Sequence, residues 1–326
     1  MARILLTHSP APRANYYGER ALAALRGLGD VVLHSGDDPL EGEALIAAAA
    51  DCALIVSFRQ SPAPAALFER LPGLAAFLRC AIDIRNVDVA AASRAGVLVT
   101  QASAGFVTSM SELLLGLMID VSRGISASAA SYQSGKPPPA RMGRELKGST
   151  LGVIGYGQIA REFVRLARAF GMNVVIHDPY VRDVRSTSLE DLLRQSDYVV
   201  PLATATAETE NLIDEGAFAA MKPGAIFVNA SRGDLVDEAA LVRALDAGRI
   251  GGCALDVGRA PDQMPTPGLA ARPDVVATPH IGGLTPPAIE HQAMETVAQV
   301  AEILKGRAPK GAVNAEHWTR KALLSS

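Results

Sequence analysis

The stretch Leu146–Tyr180, LKGSTLGVIGYGQIAREFVRLARAFGMNVVIHDPY, decides the fold. Leu151–Ile154 is a short apolar run with β-branched members and reads as a buried strand. Gly155-Tyr-Gly157-Gln-Ile-Ala160 follows at once and opens a helical pattern, with Phe163, Leu166, Ala167 and Phe170 at helical spacing and Gly171 as the stop. Asn173–His177 is a second apolar run, ended by Asp178. Each part has a physical role. Gly155 allows a tight turn, Gly157 lets backbone approach a pyrophosphate, and Ala160 permits close helix–strand packing. The helix N-terminus offers N–H groups and a positive dipole end to phosphates. Asp178 lies about 20 residues on, where a carboxylate accepts from an adenosine ribose hydroxyl. Strand, glycine turn, helix, strand and acid in one unit predict a dinucleotide site holding Gly155, Tyr156, Gly157, Gln158, Ile159 and Asp178. Asp178 favours NAD, because a 2′-phosphate would meet its charge. Arg182 and Arg185, nearby in sequence, leave NADP open.

Outward from this unit, strand and helix patterns alternate along most of the chain. In residues 1–100, Ile4–Thr7, Val31–His34, Ala53–Ser57, Phe77–Cys80 and Val97–Thr100 read as strands. Ala21–Leu28, Gly42–Ala50, Ala63–Arg70 and Val89–Ala95 read as helices. Such alternation implies an α/β fold with doubly wound parallel sheets. After the fingerprint, Tyr198–Leu202, Ala225–Asn229, Gly252–Asp256 and Asp274–Thr278 complete six strands, and Asp237–Ala247 is a helix closed by Gly248. Ser109-Met-Ser-Glu112 has the form of a capping box, with Ser109 as N-cap of a deeply buried helix that ends near Gly124. Gly135–Ala140 is a proline loop. Pro286–Lys305 is a long amphipathic helix with the stripe Ile289, Ala293, Val297, Val300 and Leu304. It follows the sixth strand, so it is expected to return the chain to the first domain. The expected organisation is a discontinuous substrate domain, 1–100 with 287–326, and a Rossmann domain, 101–286.

Composition narrows the function classes. The 326 residues are 49% hydrophobic, enough for two cores, and the net charge of −3 with no basic run argues against nucleic acid as partner. Cys52, Cys80 and Cys253 are scattered and fit a reducing cytoplasm. No apolar run reaches the ~20 residues of a membrane span. No metal-ligand spacing is present.

Ligands bind at the carboxyl ends of strands in open α/β sheets, and two such ends are loaded. Ile226–Gly233 reads IFVNASRG and Val276–Gly283 reads VATPHIGG. They place Arg232 and His280 just past apolar strands. A guanidinium binds a carboxylate with two parallel bonds and polarises a neighbouring carbonyl. An imidazole exchanges a proton near neutral pH. Hydride transfer to a 2-oxo acid needs this pair: an anion anchor, and a proton donor for the forming alkoxide. Ala230, Ser231 and Gly282, beside them, join the expected cofactor-facing set.

These motifs, GVIGYGQIA, HDPY, MKPGAIFVNASRG, VDEAALVRAL, GGCALDV and TPHIGG, together resemble the D-isomer-specific 2-hydroxyacid dehydrogenases, the family of D-3-phosphoglycerate dehydrogenases and glyoxylate/hydroxypyruvate reductases. The resemblance runs over most of residues 50–285. It implies two Rossmann-like domains, a homodimer, Arg232 as the residue for the substrate carboxylate and carbonyl, and His280 as acid/base. It implies Asp256 as a carboxylate near the nicotinamide and Arg59 as a basic substrate contact. It also implies a loop at Arg79–Asp83 whose backbone N–H groups, at Ala81, Ile82 and Asp83, hold the carboxylate.

Three departures qualify this. The family's Glu, five residues after the Asp256 position, is replaced by Pro261, or by Ala260 if the loop is one residue shorter. Asp262 is the nearest substitute. Loop glycines are replaced by Cys-Ala-Ile-Asp at 80–83. Leu202-Ala-Thr204 replaces a common His-x-Pro beside the cofactor. Without a carboxylate to favour imidazolium, ketone reduction is expected to weaken at neutral pH and improve toward acid. A 2-imino acid, already activated when protonated, would tolerate the loss better, and Asp83 could then face an amino or guanidino group. The leading expectation is an NAD(P)H-dependent reductase of 2-oxo acids giving D-2-hydroxy acids. The alternatives are reduction of 2-imino acids to amino acids, and an NAD-sensing binding protein like the corepressor relatives of the family.

Overall fold

The computed structural model describes residues 2–324 and divides into two compact units, Met1–Phe106 with Leu284–Ser326, and Val107–Gly283. The divisions fall after Phe106 and Gly283, against the expected breaks after 100 and 286.

The first unit holds five parallel strands: β1 Arg3–Leu6, β2 Asp30–Leu33, β3 Leu54–Ser57, β4 Ala76–Arg79 and β5 Leu98–Gln101. Their order is β2-β1-β3-β4-β5, the flavodoxin-like arrangement. β3 and β4 are buried along their whole length, which is why their sequences LIVS and AFLR lack alternation. One face packs Leu45, Phe68, Phe77 and Val99. The other packs Ile4, Leu25, Val56 and Leu78 against Ala293, Val297, Val300 and Ile303. Those last four lie on the helix Pro286–Ile303, so the C-terminal helix completes the core begun by the N-terminal residues. Each such buried aliphatic side chain contributes about 1.5–3 kcal/mol.

The second unit carries β6 Thr150–Ile154, β7 Asn173–His177, β8 Tyr198–Pro201, β9 Ala225–Asn229, β10 Ile250–Leu255 and β11 Val275–Ala277. The order is β11-β10-β9-β8-β6-β7, all parallel. The usual dinucleotide order places a further strand beyond β7. Here residues 186–187 run in that place, joined to β7 by one backbone bond, Thr187 N to Ile176 O at 2.8 Å. The chain therefore reverses direction across the sheet at β6 and β8, beside Gly155. The helix Gln158–Ala169 buries Ala160, Phe163, Val164 and Ala167 and packs against the helix Val107–Arg123.

That second helix corrects one expectation. It starts at Val107, so Ser109 lies inside its first turn and is not the N-cap. Gly124, at φ 64°, ends it in the left-handed conformation, as a C-terminal glycine does. Five helices, Pro10–Tyr16, Ile125–Gln133, Leu189–Gln195, Glu215–Ala220 and Pro267–Ala270, had no individual counterpart in the sequence reading. Among the described residues, no single helix is long and apolar enough to cross a membrane.

Candidate active site

The glycine turn forms as its residue types require. Gly155 sits at φ +89°, and a Cβ there would lie 2.6 Å from Ala203 N, so the position excludes other residues twice over. Gly157 faces open space on the side a Cβ would occupy. It precedes the exposed N-terminal end of the helix at Gln158, while Tyr156 and Ile159 are half-buried. The Asp178 carboxylate is fixed by backbone: Oδ2 accepts from Tyr156 N at 2.8 Å, and Oδ1 accepts from Tyr180 N and Val181 N at 2.9 and 3.2 Å. These residues fit a dinucleotide. There is room beside Gly157, a helix N-terminus for phosphate, and a fixed anion at the second strand's end. Two of the nearby basic groups are used elsewhere. Arg161 pairs with Asp183 through two bonds, and Arg182 Nη1 donates to Pro179 O at 3.4 Å.

Arg232 follows β9, on a loop built by Asn229. The buried Asn229 side chain accepts from Ser231 N at 3.0 Å and donates to Arg232 O at 2.8 Å. Arg232 Nη1 donates to Ser231 O at 2.7 Å. Ala230 is buried, and Ser231 Oγ reaches Ala203 O at 3.4 Å. Thr204 is exposed, and its carbonyl accepts from Thr209 Oγ1 at 2.7 Å.

His280 follows β11 at φ +55°, a conformation uncommon for a residue with a side chain. Its loop is held by Asp256, which is fully buried at the end of β10. Asp256 Oδ1 accepts from Thr278 Oγ1 at 2.6 Å and Ile281 N at 2.8 Å, and Oδ2 accepts from Gly282 N at 2.8 Å. Gly282 is packed so closely that a Cβ would lie 2.9 Å from Asp256 Oδ2 and collide with Met110. Asp256, expected near the nicotinamide, directs the bonds of its carboxylate to the loop that presents His280.

The question of the missing Glu has a structural answer. His280 Nδ1 lies 2.8 Å from the main-chain carbonyl of Asp262. A carbonyl only accepts, so Nδ1 carries the hydrogen and Nε2 is the nitrogen available for proton exchange. Asp262 and Gln263 are both left-handed, at φ 57° and 58°, and that double turn aims the carbonyl. Asp262 therefore meets His280 through its backbone carbonyl. Backbone strain of this kind clusters at functional sites.

The remaining sequence candidates lie in the first unit. Arg59 stacks over the Tyr16 ring at 5.5 Å, and its carbonyl accepts from Asn86 Nδ2 at 3.1 Å. Ala81 is buried, Ile82 is 37% exposed, and Ala81 O accepts from Ala102 N at 3.0 Å. The Asp83 carboxylate is bridged by Arg85, with Nε at 3.1 Å from both oxygens and Nη2 at 2.7 Å from Oδ2. This weighs against the idea that Asp83 waits for a cationic substrate. Beneath both loops lies Arg79, fully buried, donating to Ser57 Oγ, Phe58 O, Ser61 O and Asn86 Oδ1. Burial lowers its pKa to about 10. Sequence reading missed Asn229 and Arg79 as organisers of these loops. A polar residue at the end of an apolar strand was the available signal in both cases. Among the described residues no cluster of side chains could hold a metal.

Comparison with known proteins agrees with this geometry. Residues 115–282 match the family model for the D-isomer specific 2-hydroxyacid dehydrogenase NAD binding domain. The D-3-phosphoglycerate dehydrogenase of Methanocaldococcus jannaschii is 32% identical over 305 residues, covering 91% of this chain and 57% of the relative. That of Mycobacterium tuberculosis is 34% identical over 302 residues, covering 90% and 57%. The chain thus spans little more than half the length of these curated relatives. The TT0316 protein of Thermus thermophilus superposes with a TM-score of 0.86 at 31% identity, covering 95% of this chain and 99% of that one. The matched segment contains the glycine turn, Asp178, Arg232, Asp256 and His280, and on this ground the chain belongs to the D-isomer specific 2-hydroxyacid dehydrogenase family.

Proposed function

We propose that this chain is an NADH-dependent reductase of small 2-oxo acids that yields D-2-hydroxy acids. The observation that carries the reading is the fixed imidazole. His280 has its Nδ1 hydrogen committed to a carbonyl and its loop clamped by a buried carboxylate, leaving Nε2 to move a proton. Gly155–Ile159 and Asp178 would hold the dinucleotide, whose nicotinamide supplies the hydride. Arg232 binds the substrate carboxylate and polarises the adjacent carbonyl. His280 Nε2 gives its proton to the oxygen as it becomes an alkoxide, and takes it back in the oxidation direction. The geometry of Asp178 supports NADH over NADPH, because a 2′-phosphate would lie against a carboxylate fixed by three backbone donors.

A second reading has one specific observation in its favour. The Nδ1 partner of His280 is a neutral carbonyl, and an acceptor that is already protonated, such as a 2-imino acid, asks less of the imidazole as a proton donor. The test is oxidation of NADH and of NADPH against a panel of 2-oxo acids, each with and without ammonium, across pH. Ketone reduction without ammonium is the expected result. Oxidation only with ammonium, yielding an amino acid, would move the assignment to imine reduction. Binding of NADH with no turnover of any compound would overturn both readings in favour of a cofactor-sensing protein.

A further inference from the structure

The loops bearing the two catalytic side chains are tied together by a residue outside either of them. Arg259 follows β10, three residues after Asp256. Its Nη2 sits in a cage of four oxygens: Glu210 Oε1 at 3.0 Å, Asn211 Oδ1 at 2.6 Å, Asp234 O at 3.2 Å and Val236 O at 3.1 Å. Nε adds a longer contact to Val236 O at 3.4 Å. Asp234 lies in the turn that leaves Arg232 directly, Gly233–Leu235, and Val236 is the residue that ends it. That turn is itself pinned to the Asn211–Ile213 segment by Asn211 N to Asp234 O at 2.8 Å and Ile213 N to Leu235 O at 2.9 Å.

On its other side Arg259 begins the turn that reaches His280. Gly258 N donates to Gln263 O at 2.8 Å and Ala260 N to Met264 O at 3.0 Å, closing a compact loop around the left-handed Asp262 and Gln263. The apex of that loop presents the Asp262 carbonyl to His280 Nδ1. The Arg232 turn and the Arg259 loop also touch without side chains between them. A Cβ on Gly233 would collide with the carbonyl of Gly258, and a Cβ on Gly258 would lie 2.6 Å from Pro265 Cα. Main chain therefore packs on main chain at the root of both loops, and Arg259 bonds across the same junction.

We propose that Arg259 is a positioning residue that fixes the separation of Arg232 and His280 and holds the Asp262 carbonyl on the imidazole. A carboxylate partner would find a histidine by charge, over some range of loop positions. A neutral carbonyl must be delivered by the backbone, so this loop needs an external brace. The guanidinium supplies it: Nη2 meets the side chains of Glu210 and Asn211 and the carbonyls of Asp234 and Val236, and Nε reaches Val236 O from a second position of the rigid group. The inference rests on the catalytic roles given above to Arg232 and His280.

The test uses the full-length protein with NADH and the best substrate from the panel. Arg259→Ala is expected to lower kcat about 10–100-fold, as misplacement by an ångström does, with the Kd for NADH within about twofold of wild type. Arg259→Lys is expected to recover little, and added guanidinium ion, unlike added sodium at equal ionic strength, to restore part of the rate. With 15N-histidine, the His280 signals, identified by their loss in His280→Gln, should show Nδ1 protonated in the wild type and mixed tautomers in Arg259→Ala. Should Arg259→Ala fail to fold, Asn211→Gly removes the shortest contact while keeping the left-handed backbone, and a smaller effect of the same sign is expected. Wild-type kcat and an unchanged His280 tautomer in a folded variant, whatever its melting temperature, would overturn the proposal. Retention of activity by His280→Gln would instead remove the functional reading, and the tautomer measurement would still decide whether Arg259 holds the loop.

Discussion

Replacing Asp256 by Asn tests how the histidine loop is held. The carboxylate accepts three hydrogen bonds, two on Oδ1 and one on Oδ2, with no exposure to solvent. Asn has nearly the same shape but only one acceptor oxygen. With that oxygen toward Thr278 and Ile281, its NH2 meets the N–H of Gly282. Turned over, it meets the N–H of Ile281. Either way one buried backbone donor faces another donor, and the remaining bonds lose their charge assistance. A lost charged bond and an unsatisfied buried donor together cost about 2–4 kcal/mol. In a unit of this size that lowers Tm by on the order of 5–10 °C. The loop also carries His280 at a positive φ, so loosening it moves the imidazole, and kcat is expected to fall about 100-fold with a smaller change in KM. Thermal unfolding followed by circular dichroism, with steady-state kinetics on the folded variant, measures both. A Tm within a degree or so of wild type and kcat within about twofold would refute the clamp.

Three further outcomes are expected. His8 is fully buried, between the rings of Tyr17 and Phe58, and neither ring nitrogen has a partner among the described residues. Burial, aided by Arg13 and Arg79, lowers its pKa from 6.5 to about 3. The unfolded chain then binds a proton that the native state refuses, so its contribution to stability is intact above about pH 6.5 and declines as pH falls toward 3, by up to about 1.4 kcal/mol per unit. His8→Phe should therefore gain stability over wild type increasingly toward acid; parallel denaturation curves at neutral and acid pH would contradict this. Asp178→Ser should raise the Kd for NADH about 10-fold or more by removing an ionised acceptor, and narrow the preference over NADPH; fluorescence titration decides, and an unchanged ratio would remove Asp178 from cofactor choice. The helix Ile125–Gln133 buries none of its residues, and Ile125, Tyr132 and Met142 are 53%, 65% and 95% exposed. A homodimer covering them is expected by sedimentation, and Tyr132→Glu should weaken it; a monomer at all concentrations would exclude it.

Most of the scaffold was legible because period and punctuation agreed. Strands such as Ala225–Asn229 and Asn173–His177 are apolar runs bounded by glycine, proline or acid, and they fall where the sequence places them. Helix starts were less legible. Val107 begins its helix without a polar cap signal of its own, so the Ser-x-x-Glu pattern two residues later misdirected the reading. Ile125–Gln133 is largely alanine and serine, and with no apolar stripe to announce it, periodicity was silent. Pro10–Tyr16 begins with two prolines in three residues and has no apolar stripe, so it went unassigned, although proline is at home in a first turn. The histidine's partner was illegible for a different reason. A main-chain carbonyl has no residue identity, and the two left-handed residues that aim it, Asp262 and Gln263, are not glycines that would have marked the turn. Asp256 was visible as a residue but not as a clamp, since its partners are backbone N–H groups and a hydroxyl of a loop 22 to 26 positions away.

The central claim, hydride transfer to the C2 carbon of a 2-oxo acid by a site built on Arg232 and His280, is tested most directly by isotope. Turnover with NADH deuterated on the transferring position of the nicotinamide, followed by chiral analysis and mass spectrometry of the product, reads the new bond itself. The account predicts a D-2-hydroxy acid carrying one deuterium at C2 from the wild type, and its loss by a factor of about 100 or more in His280→Gln and Arg232→Met. An unlabelled or L-configured product, or label transferred undiminished by both variants, would contradict it.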